Sequence, residues 1–314
     1  MSEQETNNIA GATSYTSASK AEPVEVNLRT LLEAGVHFGH QTSRWNPAMS
    51  PYIYGSRNGI HIINLPKTVQ YWKAARKKIV DIASSGGNIL FVGTKKQAQE
   101  VVIEQASRCG AFYVANNWLG GMITNFQTIR KSIERMNKLE VTLQDEDASI
   151  KAGGHSRYTK KERLMMSREL EKLTLNLGGI RNMPGAPDLV FIIDIKREDI
   201  SVKEVRRLDI PVVALVDTNC DPSLVDYIIP SNDDGSRAIK LFTTAVADAV
   251  IEGSFVYEQR RARGEFKSAE KQSVPTASKS RPKHAPAAVE AAKEATIESE
   301  INDALEQSQT EAVN

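Results

Sequence analysis

Short apolar runs alternate with helical patterns along most of this chain. From about residue 60 to residue 251, segments that are apolar at nearly every position are followed by segments with apolar residues three or four positions apart. Strands that are apolar on both faces and joined by helices are typical of a parallel sheet covered on both sides. We therefore predict an α/β fold with a doubly wound, mainly parallel sheet of the flavodoxin or Rossmann kind. The predicted strands are 60–65, 88–93, 112–115, 188–194, 210–217 and 226–230, and the predicted helices lie between Asn27 and Gly35 and at 66–83, 95–108, 198–208 and 236–251.

Residues 122–178 interrupt this alternation. Two narrow apolar stripes with helical spacing lie on either side of a polar, glycine-containing connector at 143–162. Two helices joined in this way can turn back on one another, so we predict an inserted, antiparallel coiled-coil helical hairpin. The stripes are Phe126, Ile129, Ile133 and Met136 in the first helix, and Met166, Leu170, Leu173 and Leu177 in the second.

The same patterns predict the domain organisation. Residues 1–27 and 256–314 have few bulky apolar residues, which predicts disordered tails, the second with a weak helix near 287–307. The α/β domain is predicted to consist of 28–121 and 179–255, with the hairpin at 122–178 inserted into it.

Composition narrows the class of protein. Hydrophobic residues make up 40% of the chain, and no apolar run is long enough for a membrane span. Because the first residues resemble neither a signal peptide nor a transit peptide, we expect a cytoplasmic protein with no membrane partner. Cys109 and Cys220 have no metal-binding or redox spacing, which fits ordinary thiols in a reducing compartment.

The overall net charge of +1 conceals an uneven distribution. Residues 28–266 carry a net charge of +6, whereas the two ends are acidic. This basic excess permits nucleic-acid binding without requiring it. Several cations lie on the predicted outer faces of the hairpin, where the sequence leaves open whether they contact RNA or are simply solvated. They are Arg130, Lys131, Arg135, Lys138, Lys160, Lys161, Arg163 and Arg168, and the first six belong to the predicted RNA-binding set.

Other candidate RNA contacts lie within the α/β domain. Arg44 and Trp45 follow a glycine-rich loop and could present a cation and a stacking surface, although Trp45 could equally pack beneath the sheet. The turn from Gly93 to Lys96 joins a strand to a helix, so its amides, Lys95 and Lys96 could hold a phosphate. Arg57 and Arg181 complete the predicted RNA-binding set.

Two histidines and two aspartates raise the question of a metal or an active site. His37 and His40 are too few to assign zinc, even with Asp194 or Asp217 nearby. Both aspartates follow strands, where open α/β sheets place ligand sites, but the sequence shows neither a nucleophile nor a phosphate-binding fingerprint. We therefore predict no catalytic residue, no metal and no cofactor, with the two aspartates as caps of the following turns.

Several long strings identify a resemblance to a known family. They occur in the order LLEAGVHFGHQTSRWNP, IHIINLPKT, ILFVGTKKQA, WLGGMITN, RELEKL, LGGIRNMPGAPDLVFIID, IPVVALVDTNCDP and IPSNDDGSRAI. Together they resemble the bacterial small-subunit ribosomal protein S-two family over about residues 28–253. The resemblance implies a flavodoxin-like domain with a coiled-coil hairpin and no enzymatic activity.

The resemblance also implies partners. It points to a structural constituent of the small ribosomal subunit that acts in translation, binds small-subunit ribosomal RNA, contacts neighbouring proteins and helps to dock ribosomal protein S-one. Homo-oligomerisation is not expected. The alternative from another class is a flavodoxin-like enzyme or phosphate-ligand-binding protein that uses the Gly93 turn with Asp194 and Asp217.

Overall fold

The computed structural model describes residues 24–153 and 155–264. The predicted tails, including the weak helix near 287–307, lie almost entirely outside the described residues. The strands are β1 (Phe38–Gln41), β2 (Ile53–Arg57), β3 (Ile60–Ile63), β4 (Ile89–Val92), β5 (Phe112–Val114), β6 (Leu189–Ile193), β7 (Val212–Val216) and β8 (Tyr227–Pro230). The helices are α1 (Leu28–Glu33), α2 (Leu65–Ala83), α3 (Lys96–Cys109), α4 (Phe126–Lys151), α5 (Lys160–Leu177), α6 (Asp199–Arg207) and α7 (Ser236–Ala262).

A five-stranded parallel sheet forms the core. Its strand order is β5-β4-β6-β7-β8, and every neighbouring pair runs parallel. This is the order of a flavodoxin-like sheet, in which the chain reverses its direction of winding between β4 and β6. The predicted doubly wound α/β architecture is therefore confirmed.

The strands are buried on both faces, as their apolar composition requires. In β6, Phe191 contributes to the hydrophobic core on one face, whereas Val190 and Ile192 contribute to the core on the other. Successive side chains of a strand point to opposite faces, so an uninterrupted apolar run needs cover on both sides. Helices α2, α3 and α7 supply residues to the first core, and α6 and the start of α4 supply residues to the second.

A second, smaller sheet was only partly predicted. The strands β1, β3 and β2 form a three-stranded antiparallel sheet, although the sequence predicts a strand only at β3 and a loop before it. Both β1 and β2 contain a glycine and polar residues, so neither shows the apolar run of a buried strand. Their order in the sheet depends on pairing with β3, which short-range patterns do not reveal.

Helix α7 is longer than predicted. The sequence predicts its end near Ile251 and a tail from residue 256, but the helix continues to Ala262. Gly253, which resembles a helix terminator, instead lies inside the helix against α2. A Cβ atom at this position would lie 2.5 Å from the Cβ atom of Ala83, so glycine permits the close approach of the two helices.

The two helices of residues 122–178 pack against each other. Arg135 of α4 pairs with Glu169 of α5, and Asp147 of α4 pairs with Arg163 of α5, so the helices run in opposite directions. The connector is shorter than predicted because α4 continues to Lys151. Thr159 and Glu162 form a capping box that begins α5. Among the described residues, no helix is long and apolar enough to cross a membrane.

Candidate nucleic-acid interface

The carboxyl ends of the parallel strands carry a partly buried cluster of charges. The cluster comprises Lys95 after β4, Asp194 after β6, Asp217 after β7 and Asp233 after β8, together with Asp234 and His40. The ends of parallel strands meet at one edge of the sheet, which explains why residues distant in sequence come together. We call these six residues the strand-end cluster.

Lys95 lies at the centre of the strand-end cluster. Its Nζ atom lies 3.0 Å from Asp194, 2.8 Å from Asp233 and 2.7 Å from Asp234. Burial by itself would lower the pKa of Lys95, but the surrounding carboxylates outweigh it and raise the pKa above its ordinary value. The side chain is only 12% exposed, so its charge is neutralised inside the protein. The Lys95 ammonium is thus paired with carboxylates of the chain itself, and its contact with an RNA phosphate stays a prediction.

His40 links the small sheet to the strand-end cluster. Its Nδ1 atom lies 3.0 Å from Asp217 Oδ2, and its backbone amide donates a hydrogen bond of 2.9 Å to the Thr218 hydroxyl. The hydrogen bond with Asp217 raises the pKa of His40. Gly39 allows this approach, because a Cβ atom there would lie 2.6 Å from the Thr218 methyl carbon. His37 behaves differently, since burial lowers its pKa.

Two groups of described residues that could hold a metal ion overlap the strand-end cluster. One group is His40, Asp217 and Asp233, and the other is Asp194, Cys220 and Asp233, with ligand atoms within 4.8 Å of one another. His37 belongs to neither group. Because the Lys95 ammonium already neutralises several of these carboxylates, an incoming cation would compete with it.

The strand-to-helix turn at Gly93 is occupied by the protein's own side chains. The Thr94 amide and hydroxyl both donate to a carboxylate oxygen of Glu198, at 3.1 and 2.5 Å, and the Arg197 guanidinium donates to the same hydroxyl. Glu198 is only 3% exposed, and this burial raises its pKa. A phosphate at this turn would meet a buried carboxylate.

The predicted caps and thiols also fit a structural role. Asp194 Oδ1 accepts a hydrogen bond of 3.0 Å from the Arg197 amide, as a cap of the following turn does, and Asp217 Oδ1 accepts one from the Thr218 amide. The Cys220 thiol is 2% exposed, and burial raises its pKa to about 12. A thiol with such a pKa is a poor nucleophile at neutral pH.

Most of the other predicted RNA contacts are exposed. Arg130, Lys131 and Lys138 on α4 make no ion pair within the part of the chain that the structure describes. Lys131, Arg135 and Lys138 are three or four residues apart, so they share a face of α4. That face is opposite Ile129, Ile133 and Met136, which are buried. Lys160 and Lys161 are exposed in the first turn of α5.

Two of the predicted cations are held by glutamates. Arg135 makes two hydrogen bonds with the Glu169 carboxylate, and Arg181 donates a hydrogen bond of 2.6 Å to Glu140. All four side chains are on or next to the hairpin, and these pairs tie its helices to each other and to the residues after α5. The two arginines therefore have a structural partner that Arg130 and Lys131 do not have.

The other candidates lie on or near the small sheet. Trp45 contacts His61 with the ring centres 4.9 Å apart and the ring planes tilted by 41°, and 37% of Trp45 is exposed. His61 is paired with Ser56 across the sheet, next to the exposed Arg57 at the end of β2. Trp45 is thus partly exposed and next to Arg44 in sequence, whereas Arg57 pairs with Ile60 and points to the face of the small sheet opposite Ser56 and His61.

Comparison with known proteins agrees with this architecture. The model of the family described as ribosomal protein S2 matches residues 31–253. The chain belongs to the ribosomal protein S2 family. A small ribosomal subunit protein uS2 of Lawsonia intracellularis is 59% identical over 228 residues, which cover 73% of this chain and 76% of that protein. The protein of the same name from Oleidesulfovibrio alaskensis is 56% identical, over 76% of this chain and 88% of its own length. That of Nitratidesulfovibrio vulgaris is 52% identical, over 80% and 96%.

Several important residues of this ribosomal protein S2 chain were not singled out by the sequence. Asp233 and Asp234 follow β8 just as Asp217 follows β7, and this position could have identified them. Glu198 and Glu204 gave no such signal. Glu198 precedes helix α6 and Glu204 lies within it, among other charged residues. Their hydrogen-bond partners are far away in sequence, 104 residues for Glu198 with Thr94 and 80 residues for Glu204 with Thr124.

Proposed function

We propose that this chain is held in the small ribosomal subunit by phosphates of ribosomal RNA, which contact the exposed basic face of the α4–α5 hairpin. As a member of its family the chain is a structural component of the small subunit in translation and is not an enzyme. The relatives that it matches over most of its length are named as small-subunit proteins. The hairpin contact with RNA is our own addition.

The observation that carries the proposal is the unequal pairing of the hairpin's cations. Arg135 is neutralised by Glu169, but Arg130, Lys131 and Lys138 make no ion pair among the described residues. Exposed cations that the protein leaves unneutralised can replace counterions around an RNA backbone. Such contacts read the shape and charge of RNA rather than its bases.

The start of α5 strengthens the case for an anionic partner. Lys160 and Lys161 occupy its first turn, where the positive end of the helix dipole disfavours cations. Glu162 in the same turn already caps the helix terminus together with Thr159. A phosphate near this turn would therefore be attracted mainly by the two exposed ammonium groups.

Further parts of the interface follow from the exposed surface. We propose that Arg44 and Arg57 contact phosphates and that Trp45 stacks on an RNA base, with His61 supporting its other side. Lys96 and Arg181 are secondary contacts. The hairpin acts as a coiled-coil arm. Ribosomal protein S-one docks on this chain. The chain enters the cytoplasmic ribosome as a single copy.

The alternative of a phosphate-ligand-binding protein or enzyme finds no support in the same residues. It requires the turn at Gly93 to receive a phosphate, but Thr94 is already bound to the Glu198 carboxylate. It also requires Asp194 and Asp217 to serve a substrate, whereas their partners are Lys95 and His40.

The test replaces the three unpaired cations of α4 in the full chain, as Arg130→Ala, Lys131→Ala and Lys138→Ala together. We expect binding to small subunits that lack this protein to weaken, and the slope of log affinity against log salt concentration to fall by about 3. Binding is measured by cosedimentation at several salt concentrations. The control replaces three exposed lysines elsewhere, Lys73, Lys77 and Lys240, by alanine.

The control has the same change in net charge, so it separates local contacts from long-range attraction. Equal weakening in the two triple variants, or an unchanged slope in the hairpin variant, would refute the hairpin contact. Recovery of the unaltered protein only in ribosome-free fractions would refute the wider proposal.

A further inference from the structure

The root of the hairpin is a short irregular segment between β5 and α4. It contains Trp118, Gly121, Ile123 and Thr124, and ends at Asn125, where α4 begins. The Asn125 side chain accepts a hydrogen bond of 3.0 Å from the Thr128 hydroxyl but none from a backbone amide of the first turn of α4, so the helix lacks a conventional N-cap. Gly121 has a φ of +83°, a left-handed conformation that marks a sharp change of chain direction.

One carboxylate from another helix holds this root. Glu204 Oε1 accepts hydrogen bonds from the Trp118 indole at 3.2 Å and from the Gly121 amide at 2.6 Å. Its Oε2 atom accepts from the Ile123 amide at 3.2 Å, the Thr124 amide at 3.3 Å and the Thr124 hydroxyl at 3.1 Å. A single side chain therefore satisfies five donors of a segment about 80 residues away in sequence.

The helix that carries Glu204 is firmly attached to the sheet. In α6, Ser201, Val202 and Val205 are buried against the second core. Partial burial alone would raise the pKa of Glu204, but hydrogen bonds from Gly121, Trp118, Ile123 and Thr124 bring it below its ordinary value. The charged carboxylate is thus the form that the root stabilises.

The other end of the hairpin is fixed in a different way. Just after α5, Gly179 packs so closely on Tyr113 of β5 that a Cβ atom would lie 2.2 Å from the Tyr113 carbonyl oxygen. The hairpin therefore leaves the sheet through two attachments, one at each helix. Apolar packing of Ile129 and Ile133 in the second core stabilises the attachment of α4 but is not directional. The hydrogen bonds to Glu204 are directional, so they fix the position and orientation of the hairpin root.

We propose that Glu204 is the positioning residue that sets the direction in which the α4–α5 hairpin leaves the sheet. This inference rests on the proposed contact of the hairpin with RNA, because an arm that binds a preformed RNA surface must be presented at a defined angle. Glu204 touches no RNA. It acts through the backbone of Gly121, Ile123 and Thr124.

The test compares Glu204→Gln with Asp199→Asn. Asp199 is also on α6 and carries the same charge, but its described ion pair is only with the exposed Lys203 on the same helix. Amide hydrogen exchange of residues 119–125 is measured in the free protein. We expect exchange at Gly121, Ile123 and Thr124 to accelerate by at least about tenfold in Glu204→Gln and to be unchanged in Asp199→Asn.

The direction of the arm is measured separately, by the distance between spin labels at Ser149→Cys near the end of α4 and Ser107→Cys on α3. Both serines are exposed, whereas burial raises the pKa of the native Cys109 and Cys220 thiols to about 11 and about 12, so they should label slowly. We expect one narrow distance distribution in the otherwise unaltered protein and in Asp199→Asn, and a broadened or shifted one in Glu204→Gln.

A milder variant guards against loss of folding. Thr124→Val removes one of the five donors and leaves the backbone bonds in place, so it should broaden the distance distribution less than Glu204→Gln does. If the distribution stays narrow and at the same distance in folded Glu204→Gln and in Thr124→Val, the positioning role is refuted.

Competition with the unaltered protein for small subunits completes the test. Incorporation of Glu204→Gln should fall several-fold while that of Asp199→Asn does not. If the distances broaden but incorporation is unchanged, arm direction has no role in assembly and that part of the inference is refuted. Because distance and exchange are measured without RNA, a failure of the RNA contact itself would leave the positioning result standing and be recognised separately.

Discussion

Two charged regions of this protein use their lysines and arginines in opposite ways. In the strand-end cluster, Lys95 is buried and surrounded by Asp194, Asp233 and Asp234. On the hairpin, Arg130 and Lys131 are exposed, with no ion pair among the described residues. The first region pairs its lysine with carboxylates of the chain itself, and the second leaves its cations unpaired among the described residues. A lysine therefore indicates an RNA contact only where the fold leaves its charge unpaired.

The largest expected effect comes from breaking the balance inside the strand-end cluster. Lys95→Ala leaves three aspartates close together without their shared cation, two of them largely buried. Removing one partner of a buried ion pair costs about 3 to 5 kcal/mol of unfolding free energy. We expect a loss in that range, measured by denaturant unfolding at pH 7.

The neighbouring lysine supplies the control. Lys96 is exposed and makes no ion pair in the described part of the chain, so Lys96→Ala should change the unfolding free energy by less than about 0.5 kcal/mol. Similar stabilities for the two variants would contradict the buried, balanced character that we assign to Lys95.

A smaller effect concerns the pH dependence of the same cluster. Burial and the nearby Asp194 and Asp217 raise the pKa of Asp233 to about 7. The folded state then holds a proton that the unfolded state has already released, so the unfolding free energy falls as the pH rises from about 4 to 7. His40 acts in the same direction. Because the pKa of His40 is raised in the folded state, its protonation stabilises the fold fully at pH values below the ordinary pKa of histidine. This stabilisation is lost as the pH rises through the folded-state pKa.

Asp233→Asn should flatten this dependence. Asparagine has nearly the same shape but no charge to bury, so we expect the difference in unfolding free energy between pH 5 and pH 8 to shrink by about 1 to 3 kcal/mol. The measurement is denaturant unfolding at both pH values in the presence of a chelator, so that no cation bridges the carboxylates. The exposed Asp199→Asn is the control, and an unchanged difference in Asp233→Asn would contradict the raised pKa.

The contrast also explains how far the sequence could predict this molecule. The strands of the parallel sheet were predicted because a segment such as Leu189–Ile193 is apolar on both faces, which leaves few other possibilities. The hairpin helices were predicted for a related reason, since residues such as Ile129 and Ile133 recur with helical spacing. A local pattern is sufficient to predict a helix or strand when the burial of its residues follows from the periodicity of that element alone.

What the sequence did not predict depends on long-range pairing. The carboxylate partners of Lys95 were not predicted, because Asp233 is 138 residues away in sequence and no local pattern joins the two residues. The strand β1 was missed because its place depends on β3 and on the contact of His40 with Thr218. Glu204 was missed for the same reason, because its hydrogen bonds form only when α6 lies beside the hairpin root.

The smallest expected effect is on the stability of the hairpin variant, and it tests the other half of the comparison. Arg130→Ala, Lys131→Ala and Lys138→Ala remove exposed cations that make no ion pair among the described residues, and alanine is a better helix former than any of them. We expect the unfolding free energy of the triple variant to differ from that of the original protein by less than about 1 kcal/mol. Denaturant unfolding in the absence of RNA measures this directly.

A large loss of unfolding free energy would mean that these cations stabilise the fold, as Lys95 does. Weakened RNA binding in the same variant could then not be attributed to lost phosphate contacts. Unchanged stability together with weaker, less salt-dependent binding would place the function of these cations outside the chain.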